Sequence, residues 1–195
     1  MSRPTLSTLA VFAAVFALQT LADVVGIGAG AFALALPFAD RPWTLVTSVY
    51  AHGGLTHLLA NAIALAVLGP LVAHVTTPVR FHAFFVVTGA LSGVAQIVLT
   101  VPLGGAAVLG ASGAIFALLG YLLVGNRASD RALSWLPVGR RGQLALFAAV
   151  AAALTLATAA PGVALVAHFV GFCLGAAAGR GRILHVAERN AISAG

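Results

Sequence analysis

The sequence predicts an all-α polytopic membrane protein with six transmembrane helices in a single domain over residues 1–195 and both termini in the cytoplasm. Three observations carry that prediction. Of the 195 residues, 61% are hydrophobic and only 7% charged, against about 25% charged in soluble domains, and mean hydropathy is +1.08. The apolar residues run in blocks close to the ~20 that a helix needs to cross a bilayer core. The arginines between those blocks fall mostly on one side.

Breaks at Arg, Pro and Gly-rich points place the helices near residues 6–27, 56–74, 79–99, 112–124, 142–159 and 163–178. The first block follows a short polar start and could pass for a signal peptide, but a secretory apolar region is only about 7–15 residues long; this one is long enough to span. The connection from Gly28 to Leu55 holds Pro37, Asp40, Arg41 and Pro42 and is too polar and broken to cross. Phe38, Trp43 and Tyr50 give it the aromatic character of a segment resting at the membrane interface. The fourth segment, Ser112 to Val124, is short: about 13 residues at 1.5 Å make roughly 20 Å, against a core near 30 Å. Its first residue should therefore lie below the outer surface, beneath the Gly-rich loop from Thr100 to Ala111.

With the N-terminus inside, Arg3, Arg80, Arg127, Arg131, Arg140, Arg141, Arg180, Arg182 and Arg189 are cytoplasmic and only Arg41 is outside, a strong positive-inside bias. The net charge of +6 therefore reads as topology signals and anionic-lipid contacts rather than a nucleic-acid surface. Cys173 is the only cysteine, so an internal disulfide and a Cys-rich metal site are excluded; within an apolar helix it reads as a small hydrophobe.

Against this background a few polar residues stand out, since such groups inside membrane segments are rare and usually functional. Ser112 lies in Gly110-Ala111-Ser112-Gly113, and His168 is the lone histidine of the last apolar segment. The second, fourth and sixth helices all begin on the outer side, which puts His57, Asn61, Ser112 and His168 at similar depth in the outer half of the membrane. A serine hydroxyl needs an adjacent base to act as a nucleophile, and His168 is the candidate. Gly113, Ala117 and Gly120 follow Ser112 at helical spacing, as Gly171 and Gly175 follow His168; small-residue stripes let helices approach closely. Phe116, one turn below Ser112, is placed to stack on the imidazole. His57 and Asn61 share a helix face and could donate hydrogen bonds to an oxyanion, together with the Ser112 amide at its helix N-terminus.

Blander readings stand beside these. A serine in a membrane helix commonly bonds its own backbone, a lone histidine can be a packed polar residue or a relay, and an Asn–His pair can glue helices together. A metal site built on His52, His57 and His168 is disfavoured, because no H-E-x-x-H is present and Asp23 and Asp40 are the only acidic residues before Asp130; no metal or cofactor is expected. His74, His82 and His185 fall near cytoplasmic ends, away from this chemistry. No carboxylate is available at that depth, so the catalytic unit reduces to a Ser-His dyad with the base oriented by packing.

Three motifs in this order resemble the rhomboid family of intramembrane serine proteases: His52-Gly53-Gly54-Leu55-Thr56-His57-Leu58-Leu59-Ala60-Asn61, then Gly110-Ala111-Ser112-Gly113-Ala114-Ile115-Phe116, then Ala167-His168-Phe169-Val170-Gly171 with Gly175 beyond. The resemblance covers nearly the whole chain as a six-helix core. It implies Ser112 as nucleophile, His168 as general base, and His57, Asn61 and the Ser112 amide as oxyanion hole. It implies a mainly structural part for His52, a base-packing ring in Phe116 and a membrane-anchoring loop tryptophan in Trp43. The implied substrates are single-pass transmembrane proteins, cut near the outer end of their helix, with residues 158–162 acting as a gate. Two positions depart from the family pattern. Thr44 follows Trp43 where Arg is frequent, and Ala73 and His74 stand where an acidic residue is common; both bear on loop anchoring and stability rather than on the dyad. The competing readings are a catalytically inactive rhomboid-like protein that binds membrane clients, and a small membrane transporter. The second would be expected to show repeated halves, and no such repeat is evident.

Overall fold

The computed structural model describes residues 2–104, 107–126, 131 and 139–186. The helices that build the bundle are α1 (Arg3–Val24), α2 (Thr44–Tyr50), α3 (Leu55–Ala73), α4 (Pro78–Thr100), α5 (Ser112–Val124), α6 (Arg140–Ala157) and α7 (Leu165–Arg180). The six longer helices each lie within three residues of an apolar segment read above. Arg127 and Arg189, two of the arginines counted for topology, lie outside the described residues.

Local chemistry explains the starts of the helices. Pro4 and Pro78 occupy first-turn positions of α1 and α4, where a missing N–H costs nothing. Thr77 caps α4 by accepting from the Arg80 amide at 3.3 Å, as N-cap threonines do. In α3, Pro70 falls in the last turn, where its carbonyl accepts from the His74 amide at 3.2 Å.

Among the described residues three helices, α1, α3 and α4, are long and apolar enough to cross a membrane, and α5, α6 and α7 are shorter apolar helices packed with them. Exposure supports a lipid surround. Leu18 and Leu21 of α1, Leu59 and Ile63 of α3, and Val87 and Leu91 of α4 all face outward. Such a surface would be an aggregation liability in water, but it matches hydrocarbon. The core gathers around α5, where Ala114, Ala117 and Leu118 are wholly buried, with Phe12, Phe81, Phe85 and Leu65 from α1, α4 and α3 around it. Helix α6 lies at the periphery against α7.

Two of the three histidines distant from the motifs, His82 and His185, act as clamps at one end of the bundle. His82 Nε2 lies 2.9 Å from Ser7 Oγ and its Nδ1 3.4 Å from Thr8 Oγ1, joining α4 to α1. His185 Nδ1 lies 2.6 Å from Tyr121 OH, and Arg80 donates to the His185 carbonyl at 3.3 Å, which tacks the segment after α7 to α5 and α4.

At the other end, two connections hold each other in place. Leu34 and Val108 exchange backbone hydrogen bonds of 2.8 and 2.9 Å, and the Gly110 amide donates to the Ser48 carbonyl at 2.8 Å. The long connection before α3 is therefore stitched to the residues just ahead of Ser112. That connection also contains α2, a seven-residue helix that the sequence reading, which takes the segment only as too broken to span, does not identify. Trp43, immediately before α2, is 53% exposed and donates from Nε1 to the Ala31 carbonyl at 3.2 Å. Thr44 is buried, with its hydroxyl donating to the Arg41 carbonyl at 2.6 Å; an arginine at this position would have to abandon that buried site.

Candidate active site

Ser112, His168, His57 and Asn61 line one cavity of about 890 Å³, with Gln96 and Thr158 also in its wall. Helices α3, α4, α5 and α7 contribute, with the segments just before α3 and α5 and the chain after α6. Ser112 is the first residue of α5, His57 and Asn61 lie in the first two turns of α3, and His168 lies in the first turn of α7. Of these, His168 and Asn61 are buried and Ser112 is partly accessible.

The closeness of α5 and α7 is dictated by residues without side-chain bulk. A Cβ added at Gly171 would overlap the Gly113 carbonyl, one at Gly175 would overlap the Ala117 carbonyl, and one at Gly120 would overlap the Phe172 carbonyl. Backbone thus meets backbone along the whole seam that carries the serine and the histidine. Gly113 is constrained on its other side as well, since a Cβ there would come within 2.7 Å of Ser92 Cβ from α4.

His168 is held on two sides. Phe116 stacks on it with ring centroids 4.3 Å apart and planes 15° apart, a geometry that fixes the imidazole plane. Nδ1 lies 2.9 Å from Thr158 Oγ1. Nε2 makes no hydrogen bond among the described residues, and none links Ser112 Oγ to the ring, so the two side chains share the cavity without being joined.

His57 is held with its Nδ1 accepting from the Gly53 amide at 3.3 Å. An acceptor Nδ1 in a neutral imidazole puts the proton on Nε2, which makes Nε2–H a donor. Gly110 fits against this ring. Its φ is +129°, and a Cβ would meet His57 Cε1 at 2.7 Å, so conformation and space both require glycine. Asn61 Nδ2 donates to the His57 carbonyl at 3.0 Å and has a second N–H left over. The Ser112 amide lies in the first turn of α5 and has no intrahelical acceptor. Three donors are thereby placed around one cavity.

His52 does not line the cavity; it supports it. It is buried edge-on to Phe12 (4.8 Å between centroids) and to His57 (5.2 Å). Gln19 of α1 clips its backbone, with Nε2 donating to the His52 carbonyl at 3.2 Å and Oε1 accepting from its amide at 2.9 Å. Burial, reinforced by neighbouring His57, pushes the His52 pKa from 6.5 down to about 4, so it packs as a neutral ring.

Sequence reasoning missed Gln19, Gln96 and the contact made by Thr158. Gln96 Oε1 accepts from the Ala167 amide at 3.0 Å, satisfying an N–H at the start of α7 from a neighbouring helix. A signal was available for both glutamines, because each is a strongly polar side chain within an apolar helix, the same kind of signal that singled out Ser112 and His168. Thr158 carried no such signal: it ends α6 as one of several small residues.

Comparison with known proteins agrees with this architecture. A profile of the rhomboid domain matches residues 39–184. The chain is 38% identical over 81 residues to RHOMBOID-like protein 5 of Arabidopsis thaliana, a match covering 42% of this chain and 26% of that protein. It is 28% identical over 134 residues to YdcA of Bacillus subtilis (strain 168), named as a candidate rhomboid protease, covering 68% of this chain and 63% of that protein. The chain thus spans less than two thirds of the length of either relative.

Proposed function

The chain belongs to the rhomboid family, and from that premise we propose that it is an intramembrane serine endopeptidase working through a Ser112–His168 dyad. The observation that carries the proposal is the convergence of Ser112, His168, His57 and Asn61 on one cavity, across a helix seam with no room for a Cβ at Gly120, Gly171 or Gly175. In the proposed reaction His168 Nε2 takes the proton of Ser112 Oγ as the oxygen attacks the scissile carbonyl. The oxyanion is met by His57 Nε2–H, the free Asn61 N–H and the Ser112 amide. His168 then returns the proton to the leaving amine, and a water, activated by the same imidazole, hydrolyses the acyl-enzyme. Phe116 holds the plane of the base, and Gly110, Gly113, Gly171 and Gly175 allow the approach of the elements that carry it.

The proposed substrates are single-pass membrane proteins, cleaved near the outer end of the transmembrane helix. The proposed location is the cell membrane, with the site opening to the extracellular side and both termini cytoplasmic; Trp43 anchors the long connection at the interface. Arg3, Arg80, Arg180 and Arg182, at the end of the bundle opposite the site, support this orientation.

Activity-based labelling tests the proposal. In membranes a fluorophosphonate should label the wild type and leave Ser112→Ala unlabelled; equal labelling of both would overturn the nucleophile assignment. A cysteine placed at Gly104 should react with an impermeant thiol reagent from outside, and its protection would overturn the orientation.

A further inference from the structure

The two ring nitrogens of His168 have different surroundings, and the difference decides which of them carries the proton. Nδ1 lies 2.9 Å from Thr158 Oγ1. That same hydroxyl lies 2.8 Å from the Thr155 carbonyl oxygen. A hydroxyl has one proton, and a carbonyl oxygen can only accept. The Thr158 proton is therefore directed to Thr155, and the contact with the ring is a hydrogen bond only if Nδ1 donates. A neutral imidazole with its proton on Nδ1 presents a bare lone pair at Nε2.

We propose that Thr158 is a positioning residue of this site: by accepting from Nδ1–H it selects the His168 tautomer whose Nε2 is free to take the serine proton, the orienting part that a carboxylate plays in three-membered hydrolase sites. This role rests on the reading of His168 as general base and deepens it. Thr158 itself neither gains nor loses a proton in the cycle. When Nε2 receives the Ser112 proton, Nδ1 keeps its own, and the imidazolium N–H still points at an oxygen lone pair. The second consequence is mechanical. Thr158 is the C-terminal cap of α6, the peripheral helix, so the position of the end of α6 sets the orientation of the base. Phe116 fixes the ring plane from α5, and Thr158 fixes rotation within that plane.

Imidazole nitrogen NMR on the full chain in detergent, with ¹⁵N-histidine labelling and His168→Gln to assign the resonance, reads the tautomer without reference to activity. The wild type should show His168 as Nδ1–H. Thr158→Ser, which keeps the hydroxyl, should do the same, and Thr158→Val should shift the ring towards Nε2–H or a mixture. In parallel, the fluorophosphonate labelling rate of Thr158→Val should fall on the order of tenfold, the worth of one net hydrogen bond, while Thr158→Ser should stay within about twofold of wild type by the same measure. An Nε2–H tautomer in the wild type would overturn the proposal. So would a valine variant that keeps both the wild-type tautomer and the wild-type rate, or a serine variant as impaired as valine. If the valine variant does not fold, the wild-type tautomer and the serine variant still decide. If the wild type is not labelled at all, the hydrolase reading fails, and the NMR result still settles what Thr158 does to His168.

Discussion

Substituting Gly175 by alanine adds a single methyl group two turns from His168 and should nonetheless disable the site. The added Cβ would lie 2.6 Å from the Ala117 carbonyl carbon and 2.7 Å from its Cα, whereas carbon atoms rest about 3.5–4.0 Å apart. Neither partner is a side chain that can rotate away, so α5 and α7 must part by roughly 1 Å. Overpacking of this kind costs about 1–3 kcal/mol. Because α5 carries Ser112 and α7 carries His168, the same displacement separates the proposed nucleophile from the proposed base, and a misplacement of about 1 Å is worth on the order of 10²-fold in rate. The assay is the rate of fluorophosphonate labelling in detergent, with thermal unfolding measured on the same samples. Gly30→Ala is the control, since a Cβ there meets nothing within 4 Å and should leave both quantities unchanged. If Gly175→Ala labels at the wild-type rate and unfolds at the wild-type temperature, the backbone seam is not what aligns the site.

Three further substitutions probe its supports. Phe116→Leu removes the ring stacked 4.3 Å from His168, a contact worth about 0.5–1.5 kcal/mol; labelling should slow several-fold while Phe116→Tyr stays near wild type, and an unchanged leucine variant would refute the orienting role. Gln96→Leu strips the Ala167 amide of its acceptor, leaving a buried N–H unpaired at a cost of about 1–3 kcal/mol; the melting temperature should drop, and Gln96→Glu, which keeps an acceptor, should drop less. His52 has a folded pKa of about 4 against 6.5, so between those values the unfolded chain binds more protons than the folded one. Stability should therefore decline as pH falls through that window, by up to about 1.4 kcal/mol per unit, and His52→Leu should reduce the slope of melting temperature against pH; an identical slope in the variant would refute the burial of a neutral ring.

The parts of the fold that were legible in the sequence follow from short-range rules. An apolar block of about 20 residues has few alternatives to a membrane helix, and the start of α5 at Ser112 follows from where the Gly-rich loop stops. The small-residue stripes at Gly113, Ala117, Gly171 and Gly175 mark the tight seam because close packing in a membrane demands them. The similar depth of His57, Asn61, Ser112 and His168 followed from counting helix ends, and the approach of the helices that carry Ser112 and His168 from the small-residue stripes. Other features were hidden because they depend on pairings distant in sequence. Helix α2 is too short for a periodic signal and is held by its neighbours, including the Ser48 contact to Gly110. The clip of Gln19 on His52 spans 33 residues and the bond from Ala167 to Gln96 spans 71; polarity marks such residues but does not name their partners. Thr158 gave no mark, since a threonine at the end of an apolar helix most simply bonds its own backbone, as it also does here with Thr155.

The central claim, that Ser112 is a nucleophile activated by His168, is tested most directly by locating the covalent adduct. Wild-type protein in membranes, treated with a fluorophosphonate, digested and analysed by mass spectrometry, should carry the phosphonyl group on the peptide containing Ser112 and on that residue. His168→Ala should lose the adduct while remaining folded. An adduct on another residue, or undiminished modification of Ser112 in His168→Ala, would contradict the account.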